Sequence, residues 1–428
     1  MSEILSNYGD LNEFMDKIGI VVQRYSEEVN GGAELHARQL AEHLQYKYEV
    51  EVLTTCAIDY VFWENYYPEG EDFVNGVKVI RFKTKDRNVK MHRRSSRYLR
   101  GHVRSNNSDK GSKNFLIQSY LKLRYRRRNE HEEIFSRWID EMGPNCPGLI
   151  TFLTKESKQY KAIVFFTFMY YPTVKGLPVV AEKSIFIPTA HDDPYFHMDG
   201  YKQIFSIPRF IMYNTLVEKE LVQSAYPASK NIKSDVAGVG FDTSPRGIVA
   251  ERPIKERYFV YIGRIDINKG CKELVSFFLK FRKNIREHVR LVMIGKNSME
   301  EITVHPDIVY TGFISEEEKL VYLQYSEALV IPSPYESLSM VTLEAMALGK
   351  PVLATEESLV LKKHIELSKA GYIYKTNKNF CELLLKILNL QEQEKNVIAT
   401  NGIEYVDKNY KWETIISKFE DAINYVSK

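Results

Sequence analysis

The sequence predicts an α/β protein of two doubly wound domains that face each other across a cleft. Three observations predict it. A chain of 428 residues is too long for one ordinary core. Near its start, an apolar run, a glycine loop, a helical segment and a second apolar run follow in the order of a βαβ unit. After a polar linker, a second α/β series begins.

KIGIVVQRY (residues 17–25) has the length and composition of a buried strand. A polar loop ending in Asn30, Gly31 and Gly32 follows, and then AELHARQLAEHLQ, where Leu35, Leu40, Ala41 and Leu44 fall near helical spacing. YEVEVLTT (48–55) and GVKVIRF are further strands. A basic stretch at about 83–133 interrupts this rhythm. Within it, FLIQSYLKLRYRRR (115–128) has the pattern of a basic amphipathic helix, and EEIFSRWIDEM predicts another helix. The α/β rhythm returns at KAIVFFTF (161–168) and KSIFIPTAHDDPYF (183–196), and continues through RFIMYNTLVEKELVQSAY to IKSDVAGVGFD (232–242). The first domain is therefore placed at 1–243. The Pro- and Gly-containing segment 244–257 is the expected linker. A second domain at 258–409 reads YFVYIGRI, CKELVSFFLKF, VRLVMIG, DIVYTGFI, EEEKLVYLQYS, EALVIPS and SPYESLSMVTLEAMALGKPVLAT.

The composition narrows the function classes. Cys56, Cys146, Cys271 and Cys381 lie far apart and form no CxxC pair, so neither a zinc knuckle nor a redox motif is signalled. Scattered thiols suit a reducing cytoplasm. The acidic start lacks an apolar leader. The longest apolar run, AIVFFTFMYY, is about half of the roughly 20 residues a membrane span needs. A cytoplasmic protein, peripheral on the inner face of the cell membrane, is the expectation. The net charge of +3 hides an asymmetry: residues 83–128 hold 16 Lys/Arg against Asp86 and Asp109, a local +14, which leaves −11 elsewhere. This arm interleaves Tyr98, Leu99, Phe115, Leu116, Ile117, Tyr120, Leu121 and Leu123 with its cations, a pattern suited to an anionic bilayer or acceptor. A solvated insertion is the other reading. No nucleic-acid module is visible.

The chemistry concentrates in the second half. YIGRIDINKG places Arg264 and Lys269 after a strand and before a helix, where ligands of such sheets bind. Two cations there suit a diphosphate, or are two solvated loop charges. Glu336 and Glu344 are separated by seven residues. The helix expected to begin near Met340 would offer the amides of Ser337, Leu338, Ser339 and Met340 to an anion or to hydroxyls. Glu344, on that helix, suits the vicinal hydroxyls of a ribose, and Glu336 suits the hydroxyls of a sugar. The plainer alternative makes Glu336 a helix cap and Glu344 a surface charge.

Taken together, GRIDINKG and YTGFISEEEKLVYLQYSEALVIPSPYESLSMVTLEAMALGKPVLAT resemble the C-terminal half of the GT-B retaining glycosyltransferases of family 4 type. Their E-x7-E signature is met by Glu336 and Glu344, and their Gly-Arg…Lys-Gly loop by Gly263, Arg264, Lys269 and Gly270. NGGAELHARQLAEHL is similar to their N-terminal glycine loop, and PTAHDD to their histidine strand end. The resemblance implies a GT-B fold whose terminal helix, 410–428, returns to the first domain. It implies that Arg264 and Lys269 neutralise a nucleoside diphosphate and that Glu344 holds the ribose. Glu336 with the amides of Leu338, Ser339 and Met340 would grip the sugar and phosphates. Gly312 and Phe313 would lie beside the base. Gly31 and Gly32 would let their loop approach the diphosphate, although two glycines also suit a plain turn. His191 would touch the sugar or position the acceptor, and Asp192 would orient the histidine or the acceptor hydroxyl. The glycines of GVGFD (238–242) would make a turn bordering the cleft. The partners implied are a nucleotide-sugar donor and a glycan or lipid-linked acceptor. No cofactor and no metal are expected, because no DxD motif occurs and the cations can replace a metal. The sequence departs from the family where glycines after the first glutamate are Ser337 and Ser339, since serine disfavours positive φ. A nucleotide-sugar epimerase of GT-B type and a non-catalytic GT-B-like binding partner are the competing readings.

Overall fold

The computed structural model describes residues 15–29, 31–107, 128–241 and 251–428. The chain divides into two compact units: Met1–Ala237 with Ile416–Lys428, and Gly238–Ile415. The sequence reading set these boundaries at 243 and 409; the second unit's first strand opens at Arg257, inside the expected linker.

The first unit is built on eight strands: β1 (Lys17–Val21), β2 (Glu49–Thr55), β3 (Gly70–Val74), β4 (Val77–Phe82), β5 (Ala162–Phe166), β6 (Ser184–Ile187), β7 (Phe210–Tyr213) and β8 (Lys233–Val236). Their order is β3-β4-β2-β1-β5-β6-β7-β8. All pairs are parallel except β3–β4. The central strand β5, AIVFF, is apolar and buried throughout, as expected where helices cover both faces of a parallel sheet. The β3–β4 hairpin is absent from the sequence reading. Its turn residues Asn75 and Gly76 both have positive φ, 50° and 81°, and Asn-Gly is a strong short-range hairpin signal. The acidic, exposed GEDFV strand hid it.

The second unit has β9 (Arg257–Ile262), β10 (Val289–Ile294), β11 (Ile308–Gly312), β12 (Leu329–Ile331), β13 (Val352–Thr355) and β14 (Gly371–Tyr374) in the order β11-β10-β9-β12-β13-β14, all parallel. The order reverses between β9 and β12, which are paired neighbours. Ligands of open parallel sheets bind beyond the carboxyl ends of strands at such a reversal. The loops that leave β9 and β12 carry Arg264, Lys269 and Glu336, and the helix that follows the second loop carries Glu344.

The terminal helix Trp412–Val426 packs on the first unit. Glu420 pairs with Lys47 at 2.7 Å, Lys418 donates to the Val236 carbonyl, and the Tyr425 ring meets Phe210 and Arg209. Trp412 itself belongs to the second unit, where its indole fills the space beside Gly240; a Cβ there would stand 2.2 Å from the ring. The glycine that was expected to border a cleft is thus explained by packing.

The basic arm begins as a helix, Val89–Asn107, and ends in another, Arg128–Met142. The first is docked through buried Leu99 and Ser96, whose hydroxyl accepts the Trp138 indole N–H at 2.8 Å. Arg93, Arg94 and Arg97 remain exposed. The amphipathic helix expected over 115–128 lies, up to residue 127, outside the described residues. No helix among the described residues is long and apolar enough to cross a membrane. All four cysteines are free thiols.

Candidate active site

Glycines shape the carboxyl ends of β9, β10 and β11. Gly263, Gly295 and Gly312 all have positive φ. A Cβ on Gly295 would stand 2.0 Å from the Gly263 carbonyl oxygen, and the Gly295 amide donates to the Gly312 carbonyl at 2.9 Å. The three loops are therefore stacked edge to edge. The sequence singled out Gly263 and Gly312 but missed Gly295, which makes the contact between them. Nothing lies within 4 Å of a Cβ built on Gly312, and Phe313 beside it is 63% exposed. An open glycine next to a solvent-facing ring is a surface on which a planar group can stack.

Gly270 does the same work between β9 and β12. It ends the short 3-10 turn Ile267–Lys269 at φ 73°, and a Cβ there would stand 2.6 Å from the Pro332 carbonyl oxygen. This close approach brings the Lys269 ammonium to 2.8 Å from Glu336 Oε1 and 3.4 Å from the Tyr335 carbonyl. Arg264 is exposed in the same loop, with Nε 3.6 Å from Asp266. Asp266, unremarked in the sequence, caps the turn by accepting the Asn268 amide at 2.7 Å.

The loop after β12 carries strain. The N-cap of the helix Met340–Ala347 is Ser339, not Glu336, and it sits in the left-handed region at φ 63°. A residue with a Cβ loses about 1 kcal/mol in that conformation. The serine expected to resist positive φ adopts it, held by its hydroxyl against Thr342 Oγ1 at 2.9 Å. Among the described residues, no protein acceptor pairs with the amides of Leu338, Ser339 or Met340. The helix stops, as expected, at Gly349, which has φ 67°.

Two buried side chains that the sequence reading missed hold this loop and helix. His364 Nε2 lies 2.9 Å from the Leu338 carbonyl and Nδ1 lies 2.9 Å from the Tyr405 hydroxyl. Burial pushes its pKa down to about 4. The neutral ring therefore donates from Nε2 to Leu338 and accepts from Tyr405. Lys319, on the helix Glu316–Tyr325, reaches both oxygens of Glu344, at 3.0 and 2.8 Å. Burial lowers the ammonium pKa, but Glu344 and Glu316 more than offset it, and the net shift is upward. Glu344 is thus neither a surface charge nor an isolated acceptor. Its lone pairs on the side away from Lys319 can still accept from hydroxyls.

In the first unit, His191 follows β6, and its Nε2 lies 3.0 Å from Asp193 Oδ2. The residue that orients the histidine is Asp193, not Asp192. Asp192 pairs instead with His197 at 2.5 Å and is otherwise exposed. Adjacent acids on a turning loop point to different sides, and their order alone does not reveal which side each takes. The other oxygen of Asp193 accepts the amides of Tyr195 and Phe196. Buried Glu218 holds the start of the loop by accepting the Ala190 and Asn214 amides. Burial pushes its pKa up to about 8, against the pull of those backbone bonds. Thr167 and Thr189, which follow β5 and β6, have φ of 65° and 50°, rare for β-branched residues.

Gly31 has an explanation within its own unit. A Cβ there would stand 2.1 Å from Glu34 Oε2, and Glu34 forms a buried pair with Arg24 at 2.5 Å. Gly32 has nothing within 4 Å of an added Cβ. Gly31 thus makes room for an ion pair, while Gly32 leaves open space at the helix start.

The description "Glycosyl transferases group 1" matches residues 249–403, the stretch that contains Arg264, Lys269, Glu336 and Glu344. A lipopolysaccharide 1,2-N-acetylglucosaminetransferase of Salmonella typhimurium is 25% identical over 182 residues, 38% of this chain and 47% of that protein. The matches span less than half the length of such curated relatives. Among solved structures, sucrose-phosphate synthase from Thermosynechococcus elongatus aligns with a TM-score of 0.65 at 15% identity, covering 96% of this chain and 98% of that one. Anabaena HepE in complex with UDP and glucose aligns with a TM-score of 0.64 at 14% identity, covering 96% and 99%. The chain has the GT-B fold, and its residues 249–403 match the group 1 glycosyl transferases.

Proposed function

We propose that the chain is a retaining, metal-independent glycosyltransferase. It moves a hexose from a nucleotide-sugar to a glycan or lipid-linked acceptor in surface polysaccharide or glycoconjugate synthesis. The observation that carries this reading is the seating of Gly270 against Pro332, which sets Lys269 2.8 Å from Glu336 beside the β9/β12 reversal. A cation and a hydroxyl acceptor in contact suit a ligand that joins a phosphate to a sugar. The UDP and glucose of the HepE complex are that class of ligand.

Lys269 and Arg264 neutralise the departing diphosphate, and the amides of Leu338, Ser339 and Met340 add fixed dipoles. Glu336 accepts from the sugar hydroxyls, Glu344 from the ribose diol, and Gly312 and Phe313 flank the base. Lys269 is paired with Glu336 before the donor arrives, so donor binding exchanges that contact for two: ammonium to phosphate and carboxylate to hydroxyl. The anomeric C–O bond then breaks toward the diphosphate through an oxocarbenium-like state. The acceptor oxygen bonds to carbon on the same face and passes its proton to the leaving diphosphate. His191, oriented by Asp193, contacts the sugar or acceptor, and Asp192 is on the acceptor side. The arm at 83–128 contacts an anionic membrane surface from the cytoplasmic side, and no nucleic acid is engaged.

Incubation with UDP-, GDP-, ADP- and dTDP-sugars, read by NMR at the anomeric carbon, tests the proposal. One donor should be consumed in an acceptor-dependent manner, with its anomeric configuration kept and with EDTA present. Inverted product contradicts retention. Loss of rate in EDTA contradicts metal independence. A donor isomerised without acceptor points to an epimerase.

A further inference from the structure

We propose that the first unit holds a pocket for a phosphate ester, formed by one face of the helix Val89–Asn107 and by Tyr195 of the loop after β6. The inference rests on the transfer reading above and names the acceptor's chemistry: it carries a phosphate. The cavity has a volume of ≈ 320 Å³ and is lined by His92, Arg93, Ser96, Arg97 and Tyr195. The four helix residues fall on adjoining positions of one helical face. Its volume lies at the lower end of small-ligand sites and suits a sugar phosphate or the phosphate end of a longer molecule.

One wall is packed on aromatic rings. The fully buried Trp138 ring stacks between His92, at 5.9 Å and 18°, and Tyr195, at 5.7 Å and 15°. Its N–H is held by Ser96 Oγ at 2.8 Å. Arg24, Arg81, Arg257, Arg282 and Arg290 each pair with a carboxylate within 3.0 Å. Among the described residues, no carboxylate pairs with Arg93 or Arg97. The nearest acids in sequence to Tyr195 are committed: Asp193 to His191 and to the Tyr195 and Phe196 amides, and Asp192 to His197. Two planar guanidinium groups one turn apart match the oxygens of a phosphate better than a single carboxylate.

The pocket is joined to the transfer site of its own unit. Asp193 holds both the Tyr195 amide and the His191 ring, so an anion seated beside Tyr195 loads the same loop that carries the histidine.

Calorimetry with the full chain tests this. The probes are glucose 6-phosphate, farnesyl phosphate and glucose, and the variants are Arg93→Ala/Arg97→Ala, Arg93→Lys/Arg97→Lys and Lys269→Ala. At least one phosphate ester should bind the wild type and Lys269→Ala alike. It should bind the double alanine variant at least about tenfold more weakly and the double lysine variant with intermediate strength. Glucose should not bind. Preference for farnesyl phosphate identifies a lipid-linked acceptor, and preference for glucose 6-phosphate a soluble one. The pocket is refuted if the double alanine variant, with unchanged circular dichroism and melting, binds the esters as the wild type does, or if neither ester binds. It is also refuted if only phosphatidylglycerol vesicles show an arginine-dependent interaction, because the helix then meets a membrane surface. A nucleoside diphosphate that ignores Lys269→Ala would contradict the donor assignment while leaving this one standing.

Discussion

The two units hold the loops at their strand ends with opposite chemistry. In the first, a buried carboxyl, Glu218, accepts backbone amides at the head of the His191 loop. In the second, a buried imidazole, His364, grips a backbone carbonyl in the Glu336 loop. One loop presents its N–H groups inward and needs an acceptor. The other turns its Leu338 carbonyl inward, and among the described residues no protein acceptor pairs with its amides at Leu338, Ser339 and Met340. The difference fits the proposed donor site: the second unit leaves those three amides for a ligand, whereas the first unit engages its loop amides itself.

The comparison can be broken by pH, where the largest effects are expected. His364 titrates near 4 when folded and near its ordinary 6.5 when unfolded. Between those values only the unfolded chain takes up the proton, so the second unit loses stability as pH falls, by roughly 3 kcal/mol at full charge. Glu218 titrates near 8 when folded and near its ordinary 4.5 when unfolded. There the folded chain keeps a proton that the unfolded chain releases, so the first unit loses stability as pH rises through that window. Hydrogen-exchange protection should therefore fall first in acid at the Thr342 and Leu343 amides, which donate to the Ser339 carbonyl, and in alkali at the Ala190 and Asn214 amides. His364→Gln and Glu218→Gln should each flatten one arm. Loss of both loops at the same pH contradicts the comparison.

The next largest effect belongs to Gly270. Gly270→Ala adds a methyl 2.6 Å from the Pro332 oxygen at a left-handed φ. Urea unfolding should show a loss of about 2–3 kcal/mol, confined to the second unit. An unchanged midpoint would mean that the β9 and β12 loops are not seated on each other.

Much of this site was legible because its signals are local. Gly263, Arg264, Lys269 and Gly270 lie within eight residues, and Glu336 and Glu344 span a loop and its helix. The parallel strands were legible because a strand buried on both faces reads as a continuous apolar run. What stayed hidden depends on contacts remote in sequence. Lys319 is one lysine in a charged helix start until its partner, Glu344, is placed 25 residues away. His364 has no local signature, because both of its partners lie on other elements. Gly31 is a local exception: the resemblance implies a ligand there, while the buried pair of Glu34 and Arg24 accounts for the missing side chain.

The smallest effect sharpens the account of the β12 loop. Ser339→Gly relieves the left-handed strain and should stabilise the second unit by up to about 1 kcal/mol, unless the lost hydroxyl contact with Thr342 offsets it. A loss greater than 1 kcal/mol would show that this contact, rather than the backbone conformation, governs the loop.

The central claim is that the paired β9 and β12 loops hold a diphosphate through Lys269. Calorimetric titration of UDP, GDP, ADP and dTDP into the wild type and Lys269→Ala tests it most directly. The account predicts that one nucleotide binds the wild type and binds the equally well-folded variant at least about tenfold more weakly; equal affinity for both proteins would contradict it.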